Sequence, residues 1–400
     1  MDVIVIGAGA SGLTCAIALA RRGKTVTVFE RFANPGKKIL VTGNGRCNYW
    51  NEDFDDTHFH SDNMQFVSEV NTESNREEVL KFFDSLGIVP TIKNGYYYPM
   101  SMQAVSIRTV LLEEAERLGI KIVTGTEVIG VKKSQNGFIV EVDTETHEAD
   151  AVVVATGSNA YYKENTLGYD ICSSFGHNIV ETLPSLVQLV GNESYFKTWA
   201  GVRCNVSANC LINRNIEKTE VGEIMLTEYG LSGICIFNLS SIATRGLESG
   251  DKVEISINFL PEVKNMFAFL EERSQKVDKE LGRFFEGIIN KKIIDSVLFK
   301  ANINKDDKWS DLNTQEKENL VNFLSGLRVG IVGTKGFVNA QVSTGGVDTT
   351  EIDSQTMESR LCDNLYVIGE VLDVDGECGG YNLGFAWLTA LIAGRSVGSD

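Results

Sequence analysis

The 400-residue chain is 43% hydrophobic and 23% charged, with a formal net charge of −17; these are globular proportions, and the length implies two or three domains rather than one core. So acidic a chain disfavours nucleic acid and anionic membranes as partners, because phosphate-rich surfaces demand a basic face. Its longest apolar runs, such as Ala151 to Ala155 and Phe385 to Ala393, fall well short of the roughly 18 residues a membrane span needs, and no basic-then-apolar leader precedes the run that starts at Val3, so a cytoplasmic protein is expected.

The first element carries the most information. Val3 to Ile6 reads as a buried parallel strand, the loop Gly7-Ala8-Gly9-Ala10-Ser11-Gly12 follows, Leu13 to Arg22 supplies a helix capped by Gly23, and Thr25 to Phe29 makes a second strand closed by Glu30. A Gly-x-Gly-x-x-Gly loop inside that βαβ context, with an acid 18 residues past Gly12, is a dinucleotide fingerprint. Gly7 permits the tight turn, Gly9 lets the backbone approach a pyrophosphate, and Gly12 lets helix and strand pack closely. The N–H groups at the helix start, from Ala10 and Ser11 onward, then face the phosphates. Glu30 is placed to accept from an adenosine ribose, which fits FAD or NAD and repels a 2′-phosphate in this pocket; Arg31 beside it is counted with the site. Gly23-Lys24-Thr25 mimics the end of a P-loop, but the first glycine that motif needs is replaced by Ala18.

Arg76 to Leu86 and Met102 to Leu118 read as amphipathic helices, the second with Ala104, Ile107, Leu111, Ala115 and Leu118 on one face and Ser101 as its N-cap. Strands are expected at Lys121 to Thr124, Thr126 to Val131 and Phe138 to Val142. The apolar strand Ala151 to Ala155 then ends in Ala155-Thr156-Gly157, a small-residue turn suited to passing close over a bound nucleotide.

Near residue 190 the pattern changes class. Val202, Cys204, Val206, Ala208, Cys210 and Ile212 alternate with Arg203, Asn205, Ser207 and Asn209, and Val253, Ile255, Ile257 and Phe259 repeat the period. With Ile224 to Thr227 and Ile234 to Leu239 as partner strands, a small antiparallel sheet or barrel is expected. Helices follow at Val263 to Glu272, Lys279 to Ile289, Lys292 to Lys300 and Gln315 to Leu327, the last capped by Asn313 or Thr314. Residues 191 to 330 hold 18 basic and 20 acidic residues, which makes this the less repulsive region for an anionic ligand. Gly330, Gly333 and Gly336 are followed by Phe337 to Val342, which reads as a strand and not as the helix a second phosphate site would need.

Parallel-sheet character returns with the strand Leu365 to Ile368, which ends in Gly369-Glu370. A loop through Gly376, Gly379 and Gly380 follows, then a terminal helix from Leu383 to Val397. Glu370 is placed to bind ribityl hydroxyls, and the helix start to face the flavin N1 and C2 carbonyl, where negative charge gathers on reduction. This second, distant half of a site favours FAD over NAD. The expected fold is α/β: a discontinuous Rossmann-like FAD-binding domain with a parallel central sheet (1–189 and 341–400), an inserted antiparallel β-barrel (190–261), and a helical part with the return segment (262–340).

The chain resembles the BaiN-like, or YhiN-type, FAD-dependent oxidoreductases. The resemblance rests on Gly36-Lys37-Lys38-Ile39-Leu40-Val41-Thr42-Gly43-Asn44-Gly45-Arg46-Cys47-Asn48, on Tyr98-Pro99-Met100-Ser101, on Thr344-Gly345-Gly346-Val347, and on the run from Tyr366 to Leu383. It implies a glutathione-reductase-like FAD domain with an inserted barrel and helical region, noncovalent FAD, and NAD(P)H as a transient hydride donor. By the same resemblance Gly43, Gly45, Arg46 and Cys47 lie on the flavin side, Val128 contacts the adenine, and Glu370, Asn382 and Leu383 hold the ribityl and flavin end. Lys38, Gly369 and Gly380 are expected among the cofactor-binding residues as well. Asn44 stands where the family usually has glycine.

Cys47 lies where disulfide reductases of this class place a dithiol, but position 52 is Glu52, so dithiol chemistry is not expected. A lone thiol at Cys47 or Cys378, or the phenol of Tyr381, is the residual catalytic candidate. Tyr96, Tyr97 and Tyr98 read as packing residues. His58 and His60 are expected to be solvated. Eight cysteines without a C-x-x-C pair suit reduced thiols and no structural metal. The leading expectation is an oxidoreductase passing hydride from NAD(P)H through FAD to a small organic substrate, with an activated C=C bond, as in relatives acting on steroid-like enones, among the acceptors. Its rivals are an FAD-dependent amine or hydroxyl dehydrogenase or oxidase and, in another class, a tRNA-modifying or FAD-sensing binding protein.

Overall fold

The computed structural model describes residues 1–143, 145–161 and 165–398. Five parallel strands form the central sheet, in the order Leu365–Val367, Ala151–Val154, Asp2–Ile6, Thr25–Glu30 and Lys121–Thr124. Val3 lies opposite both Ala151 and Val26, and Val152 opposite Leu365. Ala151 to Val154 and Val3 to Ile6 are all buried, as expected for apolar strands covered on both faces. The chain leaves the Asp2–Ile6 strand toward one neighbour and reaches the other only after residue 150. The crevice beyond the carboxyl ends of those two central strands is therefore a topological switch point, where open α/β sheets bind ligands.

Two helices fix that crevice. The first, Ala10–Arg21, starts at Gly9, and Gly23 follows its end at φ +78°. The last, Tyr381–Ser396, is buried along most of its length, so its apolar residues run all round rather than in one stripe. A Cβ added to Gly394 would overlap Ala18, so these two helices, far apart in sequence, pack at backbone distance. Beside the sheet lie an antiparallel trio (Val128–Ser134, Gly137–Val142, Glu145–Ala149) and a small sheet of Trp50–Asn51, Tyr96–Pro99 and Pro90–Lys93. Elsewhere in the same unit the fully buried His177 ring spans Glu351 at 3.0 Å and the Ser359 hydroxyl at 2.7 Å. Ser359 Oγ also accepts from the N–H groups of Leu361 and Cys362, so this triad ties loops together rather than exposing a nucleophile.

The chain divides into two compact units, Met1–Thr182 with Val342–Asp400, and Leu183–Gln341. The second has its own apolar core and contains a closed antiparallel barrel. Around it run Leu189–Gly191, Gly230–Ser232, Asn215–Leu226, Arg203–Ile212, Val253–Asn258 and Leu327–Thr334. The expected α/β architecture with an antiparallel barrel is present.

Several elements differ from the sequence reading. Ile234 to Leu239 is not a strand but the start of the helix Ile234–Glu248. Ile236, Leu239 and Ala243 recur at helical spacing and are buried, and a short apolar run cannot separate the two periods alone. Phe337 to Val342 is also not a strand: Phe337–Asn339 is a 3-10 turn, and the strand runs from Val342 to Val347. Gly336, at φ +73°, turns the chain before it, while Gly330 and Gly333 lie in the closing barrel strand. Ser101 does not cap the helix Ala104–Arg117, which starts at Gln103; its hydroxyl bonds Ser106 instead. The helix expected over Lys279 to Ile289 shrinks to Leu281–Phe284.

Candidate functional site

The glycine loop lies at the carboxyl end of the first strand. Gly7, at φ +104°, donates its N–H to Phe29 O at 2.8 Å, and a Cβ here would overlap Ala155 O. Gly12 faces the Gly7 carbonyl so closely that no side chain fits. Gly9 is different: a Cβ on it would meet nothing within 4 Å, so its backbone borders open space. The loop thus has two tight glycines and one exposed one, and Ala10 and Ser11 open the helix beside it.

Glu30, buried at the end of the second strand, accepts from Ala8 N at 2.8 Å and Phe32 N at 2.9 Å. One oxygen thus pins the carboxylate to the glycine loop and the other to the following turn. Arg31 stacks its guanidinium 4.7 Å from the Phe32 ring, and Val128, 2% exposed, opens the neighbouring antiparallel trio. Ala155 donates to Ile6 O, which keeps the Ala155-Thr156-Gly157 turn beside the glycine loop; Gly157, at φ +71°, also borders open space.

At the other end, Gly369 at φ +75° packs its α-carbon against Ser11, where a Cβ would lie 2.6 Å from Ser11 Oγ. That contact brings the C-terminal segment onto the first loop. Glu370 next to it accepts from Lys38 Nζ and from Ser158 Oγ, each at 2.6 Å, and Ser343 Oγ lies 3.0 Å behind Ser158. Lys38, from the Gly-Lys-Lys motif, is thereby held against a residue 332 positions away.

The loop from Thr42 to Cys47 is strongly curved. Gly43, Asn44, Gly45 and Cys47 all have φ between +54° and +79°. Asn44, at φ +55°, adopts the left-handed conformation that asparagine tolerates better than most residues. Arg46 is exposed, and Tyr98 reaches within 3.7 Å of the position a Gly43 side chain would take. Cys47 is fully buried, and burial pushes its thiol up to about 12 against the opposing hydrogen bond from Thr42. It is therefore protonated at neutral pH, unlike a reactive thiolate. Tyr381 is 4% exposed, stacked on His58 and surrounded by Phe54 and Phe59; burial raises its phenol further.

Gly380, at φ +97°, precedes the terminal helix. The Asn382 side chain is committed to the preceding turn, accepting from Gly376 N and donating to Gly376 O and Glu377 O, which leaves only its backbone N–H facing the helix end. Leu383 packs partly buried against the core. Sequence reasoning overlooked two polar residues here. Ser158 follows the Ala-Thr-Gly turn directly, and Asn48 closes the first motif with a buried Oδ1 that has no hydrogen-bond partner.

His58 and His60 are half-buried and face carboxylates, where freely solvated side chains were expected. His58 lies between Glu377 at 2.8 Å and Asp53 at 3.3 Å, and His60 is 3.7 Å from Asp375, because the short strand Phe59–His60 pairs with Asp375–Gly376. Burial opposes the charge on His58, but the Glu377 and Asp53 hydrogen bonds and charges outweigh it and raise its pKa. The stability this cluster supplies is complete below the ordinary histidine value and fades as pH climbs through the raised one. Glu377→Gln is therefore expected to lower the melting temperature more at about pH 6 than at about pH 9; an equal loss at both would remove His58 from the account.

These features fit the two ends of an FAD: open backbone at Gly9 and Gly157, carboxylates at Glu30 and Glu370, and an orphaned buried amide beside the terminal helix. Among the described residues, no cluster of side chains suits a metal ion and no helix is long and apolar enough to cross a membrane.

Comparison with known proteins agrees with this geometry. The HI0933-like protein Rossmann domain family matches residues 1–396. The chain is 38% identical to the 3-dehydro-bile acid delta(4,6)-reductase of Clostridium scindens, covering 98% of each protein. It is 30% identical to the ribosomal RNA dihydrouridine synthase of Escherichia coli, covering 99% of each. In fold it is similar to the 3-ketosteroid-delta4-(5alpha)-dehydrogenase of Rhodococcus jostii, with a TM-score of 0.53 at 14% identity, covering 100% of this chain and 97% of that one. Matched over nearly its whole length and built on a dinucleotide-binding sheet, the chain belongs to the HI0933-like Rossmann family and is an oxidoreductase with an FAD-type cofactor.

Proposed function

We propose that this protein is an FAD-dependent reductase that takes hydride from NAD(P)H and delivers it, with a proton, to an activated C=C bond of a small organic substrate. The observation that carries the reading is the two-ended site, with Glu30 and Glu370 at its ends and open backbone at Gly9 and Gly157 between them. In this reading Gly7, Gly9, Ala10, Ser11 and Gly12 take the pyrophosphate, Glu30 and Arg31 the adenosine ribose, and Val128 the adenine. Ala155, Thr156 and Gly157 pass beneath the cofactor, while Gly369, Glu370 and Lys38 bind the ribityl chain. Gly43, Gly45, Arg46, Cys47, Gly380 and the N–H groups of Asn382 and Leu383 border the ring. FAD, when bound, supplies two-electron chemistry at N5 that protein side chains lack.

The chain's own residues then orient and shield. The first-turn N–H groups of the terminal helix favour negative charge at the ring's pyrimidine end. The aromatic cluster of Trp50, Phe54, Phe59 and Tyr381 keeps water from that side. Support for an enone-type substrate comes from the relative that shares 38% identity and is named for a bile acid reductase; the acidic balance of −17 weighs against RNA as substrate despite the more distant synthase.

The test is anaerobic reduction of the yellow protein by NADH and NADPH, then reoxidation by a panel of enones, quinones and imines. Reoxidation by imines alone, or no reduction by either nicotinamide, would overturn the reading. The buried, protonated Cys47 has no role as a relay in this scheme. Cys47→Ser should slow flavin reduction by less than about tenfold, a barrier change of roughly 1.4 kcal/mol; a loss of several orders of magnitude with FAD still bound would restore the thiol to the mechanism.

A further inference from the structure

Asn48 is 9% exposed, and its Oδ1 finds no hydrogen-bond partner. Such an oxygen is costly to bury unpaired. Its location is defined by two glycines. A Cβ built on Gly380 would lie 3.0 Å from Asn48 Oδ1, and one built on Gly43 would lie 2.8 Å from Asn48 N. The amide therefore stands between the left-handed loop at Gly43 to Cys47 and the start of the 16-residue terminal helix, whose first N–H groups have no carbonyl one turn back. Neighbouring asparagines do not share its situation: Asn51 Oδ1 accepts from Asp53 N at 3.0 Å, and Asn71 Oδ1 from the Arg76 guanidinium at 3.5 Å. An unpaired acceptor beside a helix N-terminus calls for a ligand that offers a donor to the amide and a partly negative edge to the helix.

The pyrimidine edge of a flavin has both properties. Its ring N3–H is a donor flanked by two carbonyl oxygens, and a carboxamide, with one acceptor and one donor arm, matches that edge. We propose that Asn48 is the residue that reads the pyrimidine edge of the flavin ring, its Oδ1 accepting from N3–H and its Nδ2 donating to an adjacent ring carbonyl. This rests on the FAD reading above. A side chain at Gly380, already disfavoured by its φ of +97° and by the Trp50 carbonyl at 2.9 Å, would also press on the Asn48 oxygen.

The test compares apoprotein binding of FAD and of 3-methyl-FAD, which lacks the N3–H donor. The wild type should bind FAD about tenfold more tightly than the methylated form, the scale of one or two hydrogen bonds. Asn48→Ala should weaken FAD by a similar factor and bind the two forms alike. Asn48→Asp keeps the acceptor, so it should retain the preference for FAD while its negative charge lowers the flavin midpoint potential; it also serves if the alanine variant fails to fold. An alanine variant with full FAD affinity and undiminished preference, or an aspartate variant with unchanged potential, would overturn the assignment while leaving the FAD reading intact. A wild type that binds neither flavin would sink both.

Discussion

Gly12→Ala should abolish retention of FAD through purification and lower the melting temperature by roughly 5–10 °C, the shift expected for about 3 kcal/mol in a unit of this size. The new Cβ would overlap the Gly7 carbonyl oxygen, lie 3.0 Å from the Gly7 carbonyl carbon and 3.4 Å from the Ala155 side chain. Two of these obstacles are backbone atoms, and Gly7 is itself fixed by its bond to Phe29 O. Relief therefore requires the first helix to move away from the strand, which opens the phosphate-facing turn. Gly9→Ala is the informative contrast. Gly9 has φ −83° and nothing within 4 Å of its Cβ position, so alanine there should fold normally. It should still weaken FAD, because its methyl group occupies the space the pyrophosphate approaches. Calorimetry with flavin titration separates the two: equal melting temperatures for Gly12→Ala and wild type would discredit the packing argument, and unimpaired FAD binding by Gly9→Ala would move the phosphates elsewhere.

The parts of this site that were legible in the sequence are local. The first βαβ unit could be read because its turn, helix start and acid are determined within 30 residues, and the Glu30 carboxylate lies beside the loop as that register requires. The barrel could be read from the alternation of Val206, Ala208 and Cys210, which face inward. What failed has the opposite character. Ile234 to Leu239 reads as a strand from the sequence because six apolar-rich residues fit either period until the chain beyond Leu239 is included. The acidic neighbours of His58 and His60 in sequence suggest a solvated surface loop, whereas the carboxylates that pair with them, Glu377 and Asp375, arrive from more than 300 residues away. Asn48 stood inside a recognised motif without a role, since its orphaned oxygen exists only once Gly380 closes over it. Pairings of this length leave no periodic trace, and the polar half of the site depends on them.

Glu370 depends on such a pairing most directly, and Glu370→Ala is expected to weaken FAD by roughly 100-fold, about 3 kcal/mol, the scale of charge-assisted hydrogen bonds lost to the ribityl hydroxyls. The substitution has a second effect. Lys38 Nζ and Ser158 Oγ, each 2.6 Å from the carboxylate, lose their partner, and Lys38 is only partly exposed. An ammonium left without its counter-charge in a half-buried crevice is free to turn outward, so the turn carrying it loses its tie to the C-terminal segment. Glu370→Gln separates the two effects. The amide can still accept from hydroxyls but no longer neutralises Lys38, so its loss should be nearer tenfold. Lys38→Met removes the charge and spares the acceptor. If Glu370 acts through the cofactor, Lys38→Met should retain FAD better than Glu370→Ala does. If its main service is to anchor Lys38, the two variants should fail alike, with FAD affinity following the fall in melting temperature. An alanine variant that binds FAD like the wild type would end the ribityl assignment and leave Glu370 as a structural clamp between Lys38 and Ser158.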